Sequence, residues 1–212
     1  MTPDDLANAA RRLAKLDPTL GRIYDDHGPP PLWQRPANFS TFVRIVLEQQ
    51  VSLASAKSSY DRLVAACGGR VSATAIAQLS PETLAAAGLS RQKSRYITGL
   101  AEAVLARRFS VAGLADRDDE DVRTRITSLL GFGNWSADIY LIMALMRPDV
   151  LPTGDLGLVK GLAEAANEPG LDLPTMMERA ERWRPYRSVA TRMIWQLYLV
   201  RRGKDVTQIA TG

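Results

Sequence analysis

The chain has 212 residues, 46% of them hydrophobic, which is enough to bury a core in one domain or in two small ones. Its formal net charge of +4 and its pI of about 9.4 permit a polyanionic partner without requiring one. The single cysteine, Cys67, excludes a disulfide framework, a zinc site built on cysteines and a four-cysteine iron–sulfur cluster, and it favours a reducing compartment.

The sequence has no segment typical of a signal peptide or a membrane span. The N-terminus has acids at Asp4 and Asp5 and no apolar segment, so we expect no signal peptide. The longest apolar run, Ile139–Met146, is far shorter than the ~20 residues that span a bilayer. We therefore expect a soluble cytoplasmic protein, and a monomer.

Helical periodicity dominates the first half of the chain. Leu6–Leu16 is predicted as a helix, and the proline-rich stretch 27–36, which carries Trp33, is predicted as a loop. Asn38 or Ser40 can cap a helix that runs to about Ala56, and its apolar stripe places Gln50 on the buried side. A polar side chain there is either a buried amide with satisfied hydrogen bonds or a functional residue.

The remaining elements are predicted to be helices as well. They cover 58–67, 73–79, a segment that opens at Ser80, 90–107, a segment after the acidic cluster 116–121, 135–146, 156–166, 174–183 and 186–202. No run of alternating β-branched residues is long enough for a sheet core. The sequence therefore predicts an all-α fold of short helices joined by tight turns.

A Gly-x-Gly turn is the first candidate functional feature. Leu129–Asp138 reads LLGFGNWSAD, in which two glycines flank Phe132 between two helices. Glycines permit a tight turn, and the N–H groups at the start of the following helix favour a phosphate oxygen. Phe132 is expected to point inward and plug the turn. A plain helix connection with a C-capping glycine explains the pattern equally well.

A single loop carboxylate is the second candidate feature. Leu151–Leu158 reads LPTGDLGL, which places Asp155 just before the helix 156–166. Aspartate is a preferred N-cap, and local sequence alone favours that structural role.

These stretches together resemble the helix-hairpin-helix DNA glycosylases, and most of all the branch that removes alkylated bases, 3-methyladenine DNA glycosylase II. Three further stretches follow in the family's order: VLEQQVS near residue 50, LSRQKSRY near 93, and WRPYRS with a later IW from 183 to 195. The matches run from Leu32 to Tyr198. Leu130 departs from the family, whose hairpin usually has proline there, and this should change the stiffness of the hairpin.

The resemblance implies two helical subdomains with a DNA cleft between them. One would cover 38–147 and contain the hairpin at 130–135. The other would join 1–37 to 148–212 and carry the catalytic aspartate. The partner would be double-stranded DNA with an alkylated base, which must be flipped out of the stack before it is cut.

Asp155 matches the family's catalytic aspartate. A fixed carboxylate stabilises the oxocarbenium-like sugar of the transition state and can orient the attacking water. An alkylated purine that already carries positive charge leaves as a neutral base, so no strong general acid is needed, and we expect no catalytic role for His27. Trp135 stands where some relatives have a nucleophilic lysine, which predicts a monofunctional enzyme that does not cut the strand.

The resemblance also implies the residues that handle the base and the DNA. Trp135 and Trp195 would flank the flipped base, with Trp33 and Tyr140 as further walls, although core packing is the alternative for each. Gln50, with Gln49 as a less certain neighbour, would be the wedge that fills the gap in the duplex. Phosphates would be bound by five residues: Gly131, Gly133, Asn134, Thr153 and Lys93.

No cofactor is expected to be required, and no iron–sulfur cluster. The resemblance implies a structural Na⁺ or K⁺ held by the backbone carbonyls of Thr127, Leu129 and Phe132.

Two other functions remain open on the sequence. The chain could be a non-catalytic module of this fold that binds damaged DNA, or a glycosylase for another base such as uracil or mismatched adenine. A helical adaptor explains none of the motifs. The sequence does not rank 3-methyladenine against 7-methylguanine, hypoxanthine or ethenoadenine.

Overall fold

The computed structural model describes residues 1–206, and all regular structure within that range is helical, which confirms the all-α prediction. The α-helices are α1 (Pro3–Leu16), α2 (Pro18–His27), α3 (Phe39–Glu48), α4 (Leu53–Ala66), α5 (Ala73–Ala77), α6 (Pro81–Ala86), α7 (Arg91–Leu105), α8 (Asp119–Thr127), α9 (Asn134–Met143), α10 (Leu156–Ala166), α11 (Leu173–Glu181) and α12 (Arg187–Val200). A short 3-10 turn, Ala112–Leu114, precedes α8. None of the described helices is long and apolar enough to cross a membrane.

The chain divides into two compact units. The first contains residues 1–35 and the residues from 141 onward, and the second contains residues 36–140. The sequence placed these boundaries at 38 and 147.

The core of the first unit is built from α1, α2, α10 and α12. Trp183 is fully buried in this core, and its indole N–H donates to Asp17 Oδ2 at 2.9 Å. Gly161 lets α10 approach α12 closely, because a Cβ at this position would lie 2.8 Å from Ile194 Cγ2. This close helix pair carries the aspartate and one of the tryptophans that the sequence singled out.

The core of the second unit contains a cluster of four aromatic rings. Phe42 stacks on Tyr140 with ring centroids 4.3 Å apart, and meets the edges of Phe109 at 5.5 Å and Phe132 at 5.7 Å. Phe132 is 4% exposed, so the prediction that it plugs the turn is confirmed.

The prediction of one long helix through Ala56 is wrong. Helix α3 ends at Glu48, Gln50 has a positive φ of 55°, and Ser52 caps α4 by accepting from Ser55 N. Val51 and Leu53, which seemed to continue the apolar stripe, are 44% and 42% exposed. Gln50 therefore lies at an exposed turn and not on the buried side of a helix.

Helix α2 was not predicted, although the sequence contains its start signal. The Asp17 carboxylate accepts from Thr19 N and Leu20 N, and Pro18 occupies the first helical position. Both are standard features of a helix N-terminus.

Candidate active site and hairpin

Gly131 is required by the packing of the hairpin. Its φ is +88°, and a Cβ at this position would lie 2.2 Å from the ring of Tyr96. Gly133 differs, because a Cβ there would meet nothing within 4 Å and the residue is exposed. The first glycine thus serves the fold, whereas the fold itself does not need the second.

Two polar side chains, Gln49 and Arg123, hold the hairpin in place. Gln49 Nε2 donates to Gly131 O at 2.9 Å and to Ser136 Oγ at 3.3 Å. Arg123 Nε donates to the buried carboxylate of Asp138 at 2.8 Å, which joins α8 to α9. Gln49 was predicted as a companion wedge residue. Its amide is engaged inside the protein, where it fixes the hairpin, and its role as a wedge stays a prediction.

The exposed Gln50 follows Gln49 directly in the turn between α3 and α4. Because Gln49 is bound to the hairpin, the turn that carries Gln50 is tied to Gly131. A wedge needs an exposed side chain on a firmly held segment, and Gln50 meets both conditions. Its role as the wedge stays a prediction.

Lys93 was predicted to bind phosphate, and the structure gives it another partner. Its Nζ donates to Leu47 O at 2.7 Å, so it binds a carbonyl in the last turn of α3. Burial lowers the pKa of the Lys93 ammonium, and the charge of Glu48 opposes part of this effect. Lys93 therefore supports the turn before Gln50. The sequence contains no local signal for a contact 46 residues away.

Asp155 is the N-cap of α10, and its Oδ1 accepts two hydrogen bonds. One comes from Leu158 N at 2.7 Å and the other from Trp195 Nε1 at 3.1 Å. The carboxylate is half-buried at the end of a turn in which Gly154 has a φ of +86°. The same oxygen atom therefore caps α10 and binds the indole of Trp195. Thr153, two residues before, is half-buried in the same turn.

Trp33 and Trp195 lie beside each other in the first unit. Their ring centroids are 6.4 Å apart and their planes are tilted by 49°. Trp195 is half-buried, whereas Trp33 is 3% exposed and its indole N–H donates to Val206 O at 2.8 Å. The structure therefore brings together three of the predicted site residues: Asp155, Trp195 and Trp33.

The other two predicted aromatic residues lie in the second unit. Trp135 is half-buried in the first turn of α9, immediately after Asn134, which is exposed. Tyr140 is fully buried against Phe42, and burial raises the pKa of its hydroxyl to about 12. The structure thus places Tyr140 in the core of its unit, which is the alternative that the sequence left open.

Gly157 was missed by the sequence analysis. A Cβ at this position would lie 3.2 Å from Asp155 Oδ1 and 3.7 Å from Tyr198 Cε1. The glycine therefore leaves space beside the carboxylate. The only available signal was the spacing of Gly157 and Gly161, which puts two residues without side chains on one face of α10.

The carbonyls predicted to hold a monovalent cation lie at the end of α8 and in the hairpin. Leu129 O accepts from Phe132 N at 3.2 Å. A carbonyl oxygen has two lone pairs, so this bond leaves Leu129 able to bind a cation as well. The residues are compatible with the ion, and its presence stays a prediction.

Comparison with known proteins places the chain in a family. The family model described as "HhH-GPD superfamily base excision DNA repair protein" matches residues 43–185. The Bacillus subtilis protein YfjP is 24% identical over 188 residues, covering 84% of this chain and 65% of the relative. The DNA-3-methyladenine glycosylase of Saccharomyces cerevisiae is 28% identical over 195 residues, covering 74% of this chain and 66% of the relative.

A solved structure shows the same fold. The Schizosaccharomyces pombe 3-methyladenine DNA glycosylase Mag1, in complex with abasic DNA, matches with a TM-score of 0.79 at 22% identity over 89% of this chain and 95% of that one. The chain spans about two thirds of the two relatives above. The family model matches well over half of the chain and includes both the hairpin and Asp155. The chain belongs to the HhH-GPD superfamily of base excision DNA repair proteins.

Proposed function

We propose that this chain is a monofunctional DNA glycosylase that excises alkylated bases, such as 3-methyladenine and 7-methylguanine, from double-stranded DNA. It hydrolyses the N-glycosidic bond of a flipped nucleotide and leaves an abasic site. The observation that carries this proposal is the Asp155 carboxylate, which the N–H groups of Leu158 and Trp195 hold in one orientation.

The chemistry follows from that fixed carboxylate. Cleavage of an N-glycosidic bond builds positive charge on the sugar, and a pre-oriented negative group stabilises this charge without having to reorganise. Each 1.36 kcal/mol of such stabilisation raises the rate about tenfold. The same carboxylate can orient the water that attacks the anomeric carbon.

The class of substrate follows from the indole beside the carboxylate. N-alkylated purines carry positive charge, and a cation over an indole face gains roughly 0.5–2 kcal/mol. Trp195 lies next to Asp155 and keeps part of its surface exposed. Such a base leaves as a neutral molecule, so the mechanism needs no strong general acid. The name of the yeast relative agrees with this class of base.

The chain would not cleave the DNA strand. The lyase reaction of some relatives needs a lysine amine two residues after the second hairpin glycine, and this chain has Trp135 there. The lysine nearest to Asp155 in sequence, Lys160, is exposed on α10 and does not belong to the hairpin.

The second unit would supply most of the contacts to DNA. The backbone at Gly131, Gly133 and Asn134 would bind phosphate oxygens at the start of α9, where N–H groups and the helix dipole favour an anion. Gln50 would fill the gap that base flipping leaves. In the first unit, Thr153 would add a phosphate contact in the turn before Asp155. A Na⁺ or K⁺ on the carbonyls of Thr127, Leu129 and Phe132 would add positive charge at the hairpin.

The deciding experiment compares the wild type with Asp155→Asn on methylated DNA. Asparagine is also a good N-cap, so the variant should fold. We expect free 3-methyladenine and 7-methylguanine to be released by the wild type, identified by chromatography, and release to fall at least about 100-fold in the variant. Equal base release by both proteins would rule out catalysis by Asp155.

The same assay separates the remaining alternatives. A module that only senses damage would bind the methylated duplex but release no base from either protein. A glycosylase for another base would instead release uracil, or adenine from a mismatch, when defined duplexes containing these bases are supplied.

A further inference from the structure

The loop that carries Trp33 is fastened to α12 and to the end of α9 by three hydrogen bonds. Gln196 Nε2 donates to His27 O at 3.2 Å, and Arg192 Nε donates to Leu32 O at 3.0 Å. At the end of the loop, Arg35 N donates to Met143 O at 2.8 Å. The loop is thus held at its start, its middle and its end.

Arg192 is the least expected of these partners. Its side chain is fully buried, its Nη2 donates to Ile142 O at 2.9 Å, and it lies 3.7 Å from the sulfur of Met146. Within residues 1–206 no carboxylate forms a salt bridge with Arg192, and its Nη1 has no hydrogen-bond partner. Burial lowers the pKa of this guanidinium to about 10.

A buried charge without a counter-charge opposes folding, so its location needs an explanation. A guanidinium offers a rigid fork of N–H donors, and here the fork satisfies carbonyls from two separate segments, Leu32 and Ile142. An apolar side chain of similar length would fill the space but would leave both carbonyls without this donor.

The residue that follows Leu32 has a strained backbone. Trp33 has a φ of +46°, in the left-handed region that bulky residues rarely adopt. Such a conformation persists only where its surroundings enforce it, and it often marks a functional site. The strained residue places its ring 6.4 Å from Trp195, which is three residues after Arg192 on α12 and is bonded to Asp155.

We propose that Arg192 is a positioning residue: by holding Leu32 O it fixes the buried Trp33 ring against Trp195, and so sets the position of the Trp195 ring beside Asp155. The claim that the position of the Trp33 ring affects excision rests on the proposed function. The claim that Arg192 fixes the position of this ring does not, so each claim can be tested alone.

Circular dichroism tests the ring position without any assay of activity. Two indoles this close and tilted should give an exciton couplet in their far-ultraviolet band. Trp33→Phe and Trp195→Phe should each abolish the couplet, which assigns it to this pair. Arg192→Met should remove most of it while the helical signal remains. An unchanged couplet in Arg192→Met overturns the proposal.

The matched control is Arg22→Met. Arg22 is exposed in the same unit, and its Nη2 also donates to a backbone carbonyl, Ala165 O, at 3.1 Å. This variant should keep the full couplet. If Arg192→Met does not fold, Arg192→Lys replaces it, because lysine keeps the charge but not the fork. Arg192→Lys should show a weakened couplet, and a full couplet there also overturns the proposal.

Single-turnover excision of 7-methylguanine tests the consequence for the site. Arg192→Met and Trp33→Phe should each slow excision, and the double variant should be no slower than the slower single variant, because both act through one ring. If the slowing in the double variant were instead the product of the two single effects, Arg192 would not act through Trp33, and the proposal would be overturned. An inactive wild type would contradict the proposed function and leave the spectroscopic result standing.

Discussion

The indole N–H of Trp195 donates to Asp155 Oδ1 at 3.1 Å, so the aromatic wall and the carboxylate of the candidate site orient each other. Gly161 makes this contact feasible, because it allows α10 and α12 to approach closely enough for residues 40 positions apart to meet. The same Oδ1 accepts from Leu158 N, which fixes it to the first turn of α10. In the proposed function, base recognition and charge stabilisation would therefore both depend on a single helix–helix contact.

Replacing Trp195 by phenylalanine tests that shared bond. The ring is kept but the N–H donor is lost, and Asp155 Oδ1 then retains the bond from Leu158 N. We expect single-turnover excision to fall roughly tenfold, while unfolding free energy falls by only about 0.5–1.5 kcal/mol. Urea denaturation and excision measured on the same preparations give both numbers.

Trp183→Phe is the matched control. It removes an indole N–H that also binds a carboxylate, Asp17, but in the buried core of the first unit. It should lower stability while leaving excision per folded molecule unchanged. If Trp195→Phe behaved in the same way, its indole N–H would have only a structural role.

The two glycines on α10 should respond differently to alanine. At Gly157 the new Cβ would lie 3.2 Å from Asp155 Oδ1, so we expect slower excision with little change in stability, since alanine also favours the helix. At Gly161 the Cβ would lie 2.8 Å from Ile194 Cγ2 and 3.2 Å from Ile194 O, so we expect a loss of about 1–3 kcal/mol. Thermal unfolding and excision of the two variants, compared side by side, check this; a reversed order would contradict it.

The two hairpin glycines form a second matched pair. Gly131→Ala should destabilise the protein by about 1–3 kcal/mol or more, because of its φ of +88° and the Tyr96 ring 2.2 Å from the new Cβ. Gly133→Ala meets no protein atom within 4 Å and should leave stability unchanged. If phosphate approaches this backbone, Gly133→Ala should nevertheless weaken duplex binding, measured by fluorescence anisotropy at fixed salt. Wild-type affinity in Gly133→Ala would exclude a close contact there.

The features that the sequence predicted well depend on local rules. Asp155 as a helix cap follows from its position before α10, and Phe132 as a buried plug follows from the two flanking glycines. Trp195 was assigned to the site by resemblance, and no local pattern could show that it bonds to Asp155. Such a contact depends on how α10 packs against α12.

The sequence predictions that failed did so for equally specific reasons. Val51 and Leu53 extend the apolar period of α3, but the chain turns at Gln50, and both side chains are exposed. The period alone does not show this, because the turn is fixed by contacts from distant segments: Gln49 bonds to Gly131 O, and Lys93 bonds to Leu47 O. Arg192 gave no signal at all, since an arginine in a helix is usually exposed.

Removing Lys93 distinguishes the phosphate contact predicted from the sequence from the carbonyl contact found in the structure. A lysine that binds phosphate should reduce the salt dependence of DNA affinity when removed, by roughly 0.9 in the slope of log K against log salt. Because the Lys93 ammonium instead binds Leu47 O, we expect Lys93→Met to leave this slope unchanged. Anisotropy titrations over a range of salt concentrations provide the measurement, and a reduced slope would restore the phosphate contact.

The stability of Lys93→Met should also depend on pH in a defined direction. Burial lowers the pKa of Lys93 in the folded state below its ordinary value of 10.5, so the unfolded chain binds more protons as the pH rises toward that value. Stability rises with pH wherever the unfolded state binds more protons. The wild type should therefore gain stability relative to Lys93→Met in the pH range that starts at the lowered pKa and ends near 10.5. Urea denaturation of both proteins across this range tests it, and a relative loss of wild-type stability would show that folding raises the pKa of Lys93 instead of lowering it.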